Sequence, residues 1–201
     1  MSSEWIRYAG RIMVADNSIG IGYNGLVGGF RAVISDELDA LDIGHVWVGP
    51  YSDAYGSHRS ISGVLGADQT SALQTDCETY DPRIVIVGYA ENDLGTSYTA
   101  AQTITSVTNC VNWVQAGAPQ AIVIVRTAIV PQNATIPAYY ARRDLFSEYN
   151  TLLPAMCSAE GVYLADIGAP TTSDGLHLDD TSTGYTSAGR TLAGVIVRRI
   201  P

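Results

Sequence analysis

The sequence predicts an α/β fold in which a parallel sheet of five strands lies between helical layers. Three observations carry this. Short apolar runs at 11–15, 45–49, 84–87, 121–125 and 162–165 are separated by segments long enough for helices of ten or more residues. Several of those segments repeat apolar residues at three- and four-residue steps, the period of a helix with one buried face. The run Ile84-Val85-Ile86-Val87 is apolar and β-branched without alternation, as in a strand covered on both faces. Parallel strands need crossover connections, and these are right-handed, so the helices fall on both faces of the sheet.

The elements follow in order. Residues 11–15 form the first strand, which runs into Asp16-Asn17-Ser18-Ile19-Gly20-Ile21-Gly22-Tyr23, a polar turn with one serine. Glycines at 20, 22, 25, 28 and 29 allow tight turning and close backbone approach there. Phe30, Val33, Ile34, Leu38 and Leu41 mark a helix whose acidic residues at 36, 37, 39 and 42 lie mostly on the wet side. Residues 45–49 are a second strand, residues 51–62 a polar, aromatic loop leading to Gly63, and residues 64–77 a helix. Asp81-Pro82-Arg83 ends that helix before the third strand at 84–87. Ile104, Val107, Val111 and Val114 stripe the next helix, closed by Gly117 and Pro119. After a fourth strand at 121–125, a loop through Pro131 and Pro137 leads to a helix with Leu145, Tyr149, Leu152 and Met156, kinked at Pro154. A fifth strand at 162–165, a loop over 166–180, and a closing helix with Tyr185, Ala188, Leu192, Val195 and Ile196 complete the chain.

At 201 residues, 46% of them apolar and evenly distributed, residues 1–201 fit one domain with a full core. The net charge is −9 and all eleven cations are arginine, which argues against nucleic acid as a partner. No apolar run approaches the roughly 20 residues that cross a bilayer. Met1-Ser2-Ser3-Glu4-Trp5 has neither the basic region nor the apolar stretch of a signal peptide, so a soluble chain without a membrane partner is expected, either cytoplasmic or secreted with its signal removed. Cys77, Cys110 and Cys157 are an odd set, each in a helical segment and none near a second ligand at metal spacing, which predicts buried free thiols and no metal. Asn133-Ala134-Thr135 matches a short glycosylation sequon.

Parallel α/β sheets bind ligands beyond the carboxyl ends of their strands. Ser18, Gly63, Asn92 and His177 follow the first, second, third and fifth strands, so all four fall on one rim. A serine hydroxyl needs a base and oxyanion donors to act as a nucleophile. Asp174 and His177, three residues apart, provide a carboxylate to orient an imidazole that accepts the Ser18 proton. The Asn92 amide is an oxyanion donor. Asp166, directly after the fifth strand, is a rival partner for His177. His58 lies on the same rim, as a pocket residue or a loop histidine, whereas His45 starts a strand and is structural. Tyr139-Tyr140 and Arg142-Arg143 read as a solvated, partly packed helix face. No glycine-rich phosphate loop of known spacing supports a nucleotide-binding or redox function.

At these residues the chain resembles the GDSL or SGNH hydrolases, whose serine, glycine, asparagine and histidine stand in four separated blocks. Ser18 followed by Gly22 is similar to the first block, Ser62-Gly63 to the second, Glu91-Asn92-Asp93-Leu94 to the third, and Asp174-Gly175-Leu176-His177-Leu178 to the fourth. Gly29-Phe30-Arg31, Val48-Gly49 and His58-Arg59-Ser60-Ile61-Ser62-Gly63 resemble the carbohydrate esterase family 3 branch, which contains acetylxylan esterases. The resemblance implies a flavodoxin-like three-layer α/β/α sandwich and a serine esterase without cofactor or metal. In it Ser18 is the nucleophile, His177 the base and Asp174 its orienting partner, with the backbone amides of Ser18 and Gly63 and the Asn92 side chain as oxyanion hole. The implied substrate is a small acyl ester, above all an acetyl ester of a carbohydrate or similar alcohol. The alternatives are a lysophospholipase, thioesterase or arylesterase, or a degenerate relative that binds a ligand without cleaving it. Three departures stand out. The family's Gly-Asp-Ser reads Asp16-Asn17-Ser18, the glycine usual before the Asn-Asp pair is shifted or replaced by Ala90-Glu91, and the glutamate common after the second-block histidine is Arg59. A carboxylate at Asp16 either opposes the developing oxyanion or points away, so Asp16→Gly is expected to raise or preserve the rate. Arg59 is expected to alter the substrate preference of the rim.

Overall fold

The computed structural model describes residues 8–23 and 28–201, so Gly25 and the Met1-to-Trp5 start lie outside the described residues. The elements run β1 (Tyr8–Asp16), α1 (Ser18–Ile21), α2 (Phe30–Asp39), β2 (Gly44–Trp47), β3 (Tyr51–Asp53), β4 (Gly56–His58), a 3₁₀ turn (Gly66–Asp68) and α3 (Ser71–Tyr80). They continue with β5 (Ile84–Gly88), α4 (Ala90–Thr96), α5 (Ala100–Gly117), β6 (Ile122–Arg126), α6 (Pro137–Tyr140), α7 (Arg143–Glu160), β7 (Tyr163–Ala165) and α8 (Tyr185–Val197). The five-stranded sheet has the order β2-β1-β5-β6-β7, and every neighbouring pair is parallel. From β1 the chain steps outward to β2, then returns to the other side of β1 as β5. That reversal is the switch point of the sheet, at the carboxyl ends of β1 and β5, where ligands bind in such sheets.

Two four-residue runs show how sequence sets the layers. Ile84-Val85-Ile86-Val87 and Ile122-Val123-Ile124-Val125 pair in register, so isoleucine faces isoleucine and valine faces valine. Successive strand side chains point to opposite faces. On one face Ile84, Ile86 and Ile124 pack with Phe30, Ile34 and Leu38 of α2 and Leu192 and Ile196 of α8. On the other, Val85, Val87, Val123 and Val125 pack with Leu73 of α3, Val107 and Val111 of α5, and Phe146 and Leu153 of α7. Each such buried side chain contributes roughly 1.5–3 kcal/mol, which makes the sheet a stiff platform for whatever follows its strands.

Three local readings are corrected. Residues 51–62 are not loop throughout, since β3 and β4 form an antiparallel hairpin in which Tyr51 faces His58. Its tip is tied down by the fully buried Arg31, whose guanidinium donates to Asp53 and to the Gly56 carbonyl. The span 64–77 is helical only from Ser71, because the Thr70 side chain caps the helix by accepting from the Ala72 N–H. Leu41 and Leu152 are exposed, and Ile43 and Leu153 take the buried places expected of them. α7 runs from Arg143 to Glu160 with Pro154 inside it, and α8 buries all five residues of its predicted stripe. Among the described residues no helix is long and apolar enough to cross a membrane.

The hairpin has a consequence for the rim. β2 pairs only with the first half of β1, which leaves the outer edge of its second half open. The returning chain fills it, with Arg59 N–H donating to Val14 O at 2.8 Å and Ile61 N–H to Asp16 O at 3.0 Å. Gly63 therefore reaches the rim beside the end of β1 by way of the hairpin, not by following β2 directly.

Candidate active site

Asn17 shapes the turn that carries Ser18. Its side-chain oxygen accepts from the Ile19 N–H at 2.9 Å, capping the short α1. Ser18 thus stands at the first position of a helix, where backbone N–H groups have no intrahelical acceptor. The Ser18 hydroxyl is 3.0 Å from Nε2 of His177. On the other side of the ring, Nδ1 is 2.7 Å from Oδ2 of Asp174.

The pairing of His177 with Asp174 is built locally. Oδ1 of Asp174 accepts from the backbone N–H groups of Leu176 at 3.0 Å and His177 at 2.8 Å, folding the segment into an Asx turn that brings ring to carboxylate. Burial alone would raise Asp174, but hydrogen bonds from the His177 ring and these two amides, with the charge of His177, outweigh it and hold the carboxyl below its usual value. The rival Asp166 turns elsewhere, accepting from the Gly168 N–H at 2.9 Å. The Tyr23 ring lies against the imidazole, with centroids 4.8 Å apart.

Gly63 occupies the third position of a turn closed from Val64 N–H to Ile61 O, with φ at +74°, a conformation that favours glycine. Asn92 lies in α4, directly after Glu91: its Nδ2 donates to Val64 O at 2.8 Å and its Oδ1 accepts from the Tyr139 hydroxyl at 2.8 Å. One Nδ2 hydrogen is left to point elsewhere. Asp93 closes the same corner by accepting from the Ala67 N–H at 3.2 Å; burial pushes its carboxyl up to about 6 against the pull of its hydrogen bonds.

Tyr139 is thus part-buried, and its hydroxyl fixes which way the Asn92 amide faces. The remainder of that helix face is also engaged, with Arg142 donating to the carbonyls of Leu94 and Tyr98 and Arg143 lying over the Tyr140 ring. His58 ends β4 and so belongs to the hairpin rather than to a loop. It is buried beside Asp53, and burial, followed by the charge of Arg31, lowers its pKa. His45 bonds to the Ser35 hydroxyl at 2.9 Å, away from the site as expected. Arg59 turns inward to Asp76 at 2.9 Å and to the Tyr89 hydroxyl at 3.3 Å, so its guanidinium is not presented to a substrate at the rim.

Asp16 turns inward to an ion pair. It is fully buried and held by both Nε and Nη2 of Arg126, at 2.8 and 2.7 Å. The same guanidinium holds Glu91, at 2.5 Å from Nη1 to Oε1. Burial pushes Asp16 up to about 6; Arg126 pulls the other way by charge and hydrogen bond, and Glu91 adds to the rise. A glycine at 88 is required here, because a Cβ would collide with both the Arg126 guanidinium and the Asp16 carboxylate.

Hydroxyl, imidazole and carboxylate in series, with N–H donors nearby at the switch point of a parallel sheet, are the equipment of serine-based acyl transfer. The class defined by fold and site is thus the layered α/β ester hydrolases. Within it, the GDSL-like lipase/acylhydrolase family matches residues 17–186, and the chain belongs to that family. No curated protein sequence matches the chain. Among solved structures, it is similar to a carbohydrate esterase family 3 protein from Talaromyces cellulolyticus, at TM-score 0.77 and 19% identity over 94% of this chain and 96% of that one. It is equally similar to a family 3 carbohydrate esterase from Clostridium thermocellum, at TM-score 0.77 and 17% identity over 94% and 97%. An acetyl esterase serine-to-alanine mutant with an acetate ion matches at TM-score 0.76 and 18% identity over 94% and 96%. At these identities the likeness is one of fold.

Proposed function

We propose that the protein hydrolyses short acyl esters, acetyl esters of a carbohydrate or similar alcohol first among them, with Ser18 as nucleophile. The observation that carries this reading is the relay from the Ser18 hydroxyl through His177 to Asp174, at 3.0 and 2.7 Å. His177 Nε2 takes the Ser18 proton as Oγ adds to the ester carbonyl carbon, while Asp174 holds the Nδ1–H tautomer and stabilises the imidazolium. The Ser18 and Gly63 amides and the Asn92 side chain donate to the oxyanion, each contributing on the order of 3 kcal/mol. On collapse the C–O bond to the alcohol breaks and His177 protonates the leaving oxygen. Water, deprotonated by His177, then attacks the acyl-Ser18 carbonyl, and the carboxylic acid and free serine are regenerated.

Two features support a short acyl group: the 51–58 segment is polar, and the similar solved structures are described as carbohydrate and acetyl esterases. The degenerate-relative reading loses its motive, because the Asp16 carboxylate that suggested it is paired with Arg126. The test is hydrolysis of p-nitrophenyl esters of rising chain length by the parent, Ser18→Ala and His177→Ala proteins. Activity highest on acetate and abolished in both variants is expected. Best activity beyond about eight carbons would replace acetyl by a lipase-type acyl group, and stoichiometric failure of a fluorophosphonate to label Ser18 in folded protein would sink the enzyme assignment of this serine.

A further inference from the structure

Two of the departures from the family's blocks, Asp16 and Glu91, meet on one side chain that the sequence did not single out. Arg126 ends β6, between β5 and β7, and is 1% exposed. Its Nε donates to Asp16; Nη1 donates to Glu91 and to the Thr127 carbonyl; Nη2 donates to Asp16, to Glu91 at 3.1 Å and to the Gly88 carbonyl at 2.9 Å. All five guanidinium hydrogens are thereby engaged. Glu91 is completed by the Ile129 N–H at 3.1 Å and by the Asn17 amide at 2.7 Å, and Asp16 by the Asn17 N–H at 2.7 Å.

The position of this cluster matters more than its energy. The ladder between β1 and β5 ends at Asp16 opposite Gly88, and the residues that follow, Asn17 and Ser18 on one side and Glu91 and Asn92 on the other, lie past the last strand pairing. What links them is side chain to side chain: Asn17 to Glu91, with the Arg126 fork beneath both. Ser18 directly follows Asn17, and Asn92 directly follows Glu91. A buried cluster of two carboxylates and one guanidinium is a costly way to gain stability, since well-packed apolar residues do as well or better. A planar, five-donor fork does supply fixed direction to two carboxylates at once. We infer that Arg126, through Asp16 and Glu91, is the positioning residue of the active site, setting the Ser18 turn and the Asn92 turn at one separation.

This inference rests on the esterase reading above, and the test separates the two. Steady-state kcat and KM for p-nitrophenyl acetate, the rate of fluorophosphonate labelling of Ser18, and thermal unfolding are measured for the parent protein, Arg126→Lys and Glu91→Gln. Arg126→Lys keeps the cation and loses the fork; kcat is expected to fall roughly 10- to 100-fold, with KM within about twofold and labelling slowed in parallel, as for a nucleophile displaced by about an ångström. Glu91→Gln keeps shape and loses charge, and kcat is expected to fall about threefold to tenfold with the protein fully folded. Variants that melt earlier yet turn over at the parental kcat well below their unfolding temperature would overturn the inference, leaving the cluster purely structural. If Arg126→Lys does not fold, Glu91→Gln alone decides by the same criterion. A parent protein that neither hydrolyses the ester nor labels at Ser18 overturns the esterase reading, and the inference with it, before any variant is made.

Discussion

Near its start β1 holds Arg11 against Asp81 at the surface, and at its far end Asp16 against Arg126 in the interior. The first pair is 49% and 74% exposed, the second 1% and 0%. The same two chemical groups thus meet in opposite solvents. At the open end water and salt screen the charges, and two long side chains lose freedom to meet, so the net gain is small. At the closed end the charges have lost their hydration, and every donor and acceptor must be matched or the fold suffers. The difference teaches that the strand's carboxyl end is organised for precision and its amino end merely for tolerance. A groove of about 720 Å³ does open at the amino end, lined in part by Tyr8, Arg11, Asp81 and Arg83, but it lies across the sheet from Ser18.

That contrast can be broken or sharpened at several strengths. The largest expected effect is chemical: Ser18→Ala should lower kcat for p-nitrophenyl acetate by about 10⁴-fold or more, on the order of 5 kcal/mol of barrier, while leaving the urea unfolding midpoint unchanged. Next, Arg126→Met leaves two buried carboxylates without their cation and should cost about 3–5 kcal/mol of stability in urea titration. A loss below 1 kcal/mol would erase the distinction between the two ends. The third effect depends on pH. The folded-state pKa of Asp16 is raised, to about 6 from 3.8, so its contribution to stability is fully present below 3.8 and is lost as pH rises through about 6. The stability of the parent protein relative to Asp16→Asn should therefore decline from pH 4 to pH 6 and level off above; Asp93, raised in the same range, titrates in both proteins and cancels. Fourth, Tyr139→Phe removes the donor to Asn92 and should lower kcat about threefold to tenfold, roughly 1 kcal/mol, with KM little changed. The smallest effect belongs to the open end, where Arg11→Ala should move stability by less than about 0.5 kcal/mol and activity not at all.

Much of this architecture is legible in the residues because burial leaves a repeat. The run Ile84-Val85-Ile86-Val87 reads as a strand covered on both faces and is buried throughout, and the α8 stripe from Tyr185 to Ile196 is buried at every predicted position. The four blocks were legible for a different reason: Ser18 and Asn92 come within a few residues of a strand's end, and the Asp-x-x-His spacing closes its own turn, whereas Gly63 arrives by way of the hairpin. What was hidden depends on register or on distance. β3 and β4 are three residues each, too short and too polar to show alternation. Arg126 reads as an ordinary cation ending a strand until the pairing of β5 with β1 and β6 places it between Asp16 and Glu91. Tyr139 acts on an amide 47 residues away, and no local pattern announces such a contact. For the same reason the expectation for Asp16→Gly reverses: deleting that carboxylate takes one of two carboxylates from a buried guanidinium and leaves it Glu91, so the rate should drop.

The helical layer that packs on the valine face also carries all three cysteines, one each in α3, α5 and α7. Burial pushes Cys77 and Cys110 up to about 12 and Cys157 up to about 11. Only a thiolate attacks disulfides or oxidants readily, and at neutral pH these sulfurs hold their protons out of reach of dissolved reagents. Thiol-directed labelling of the three cysteines is therefore expected to wait on unfolding.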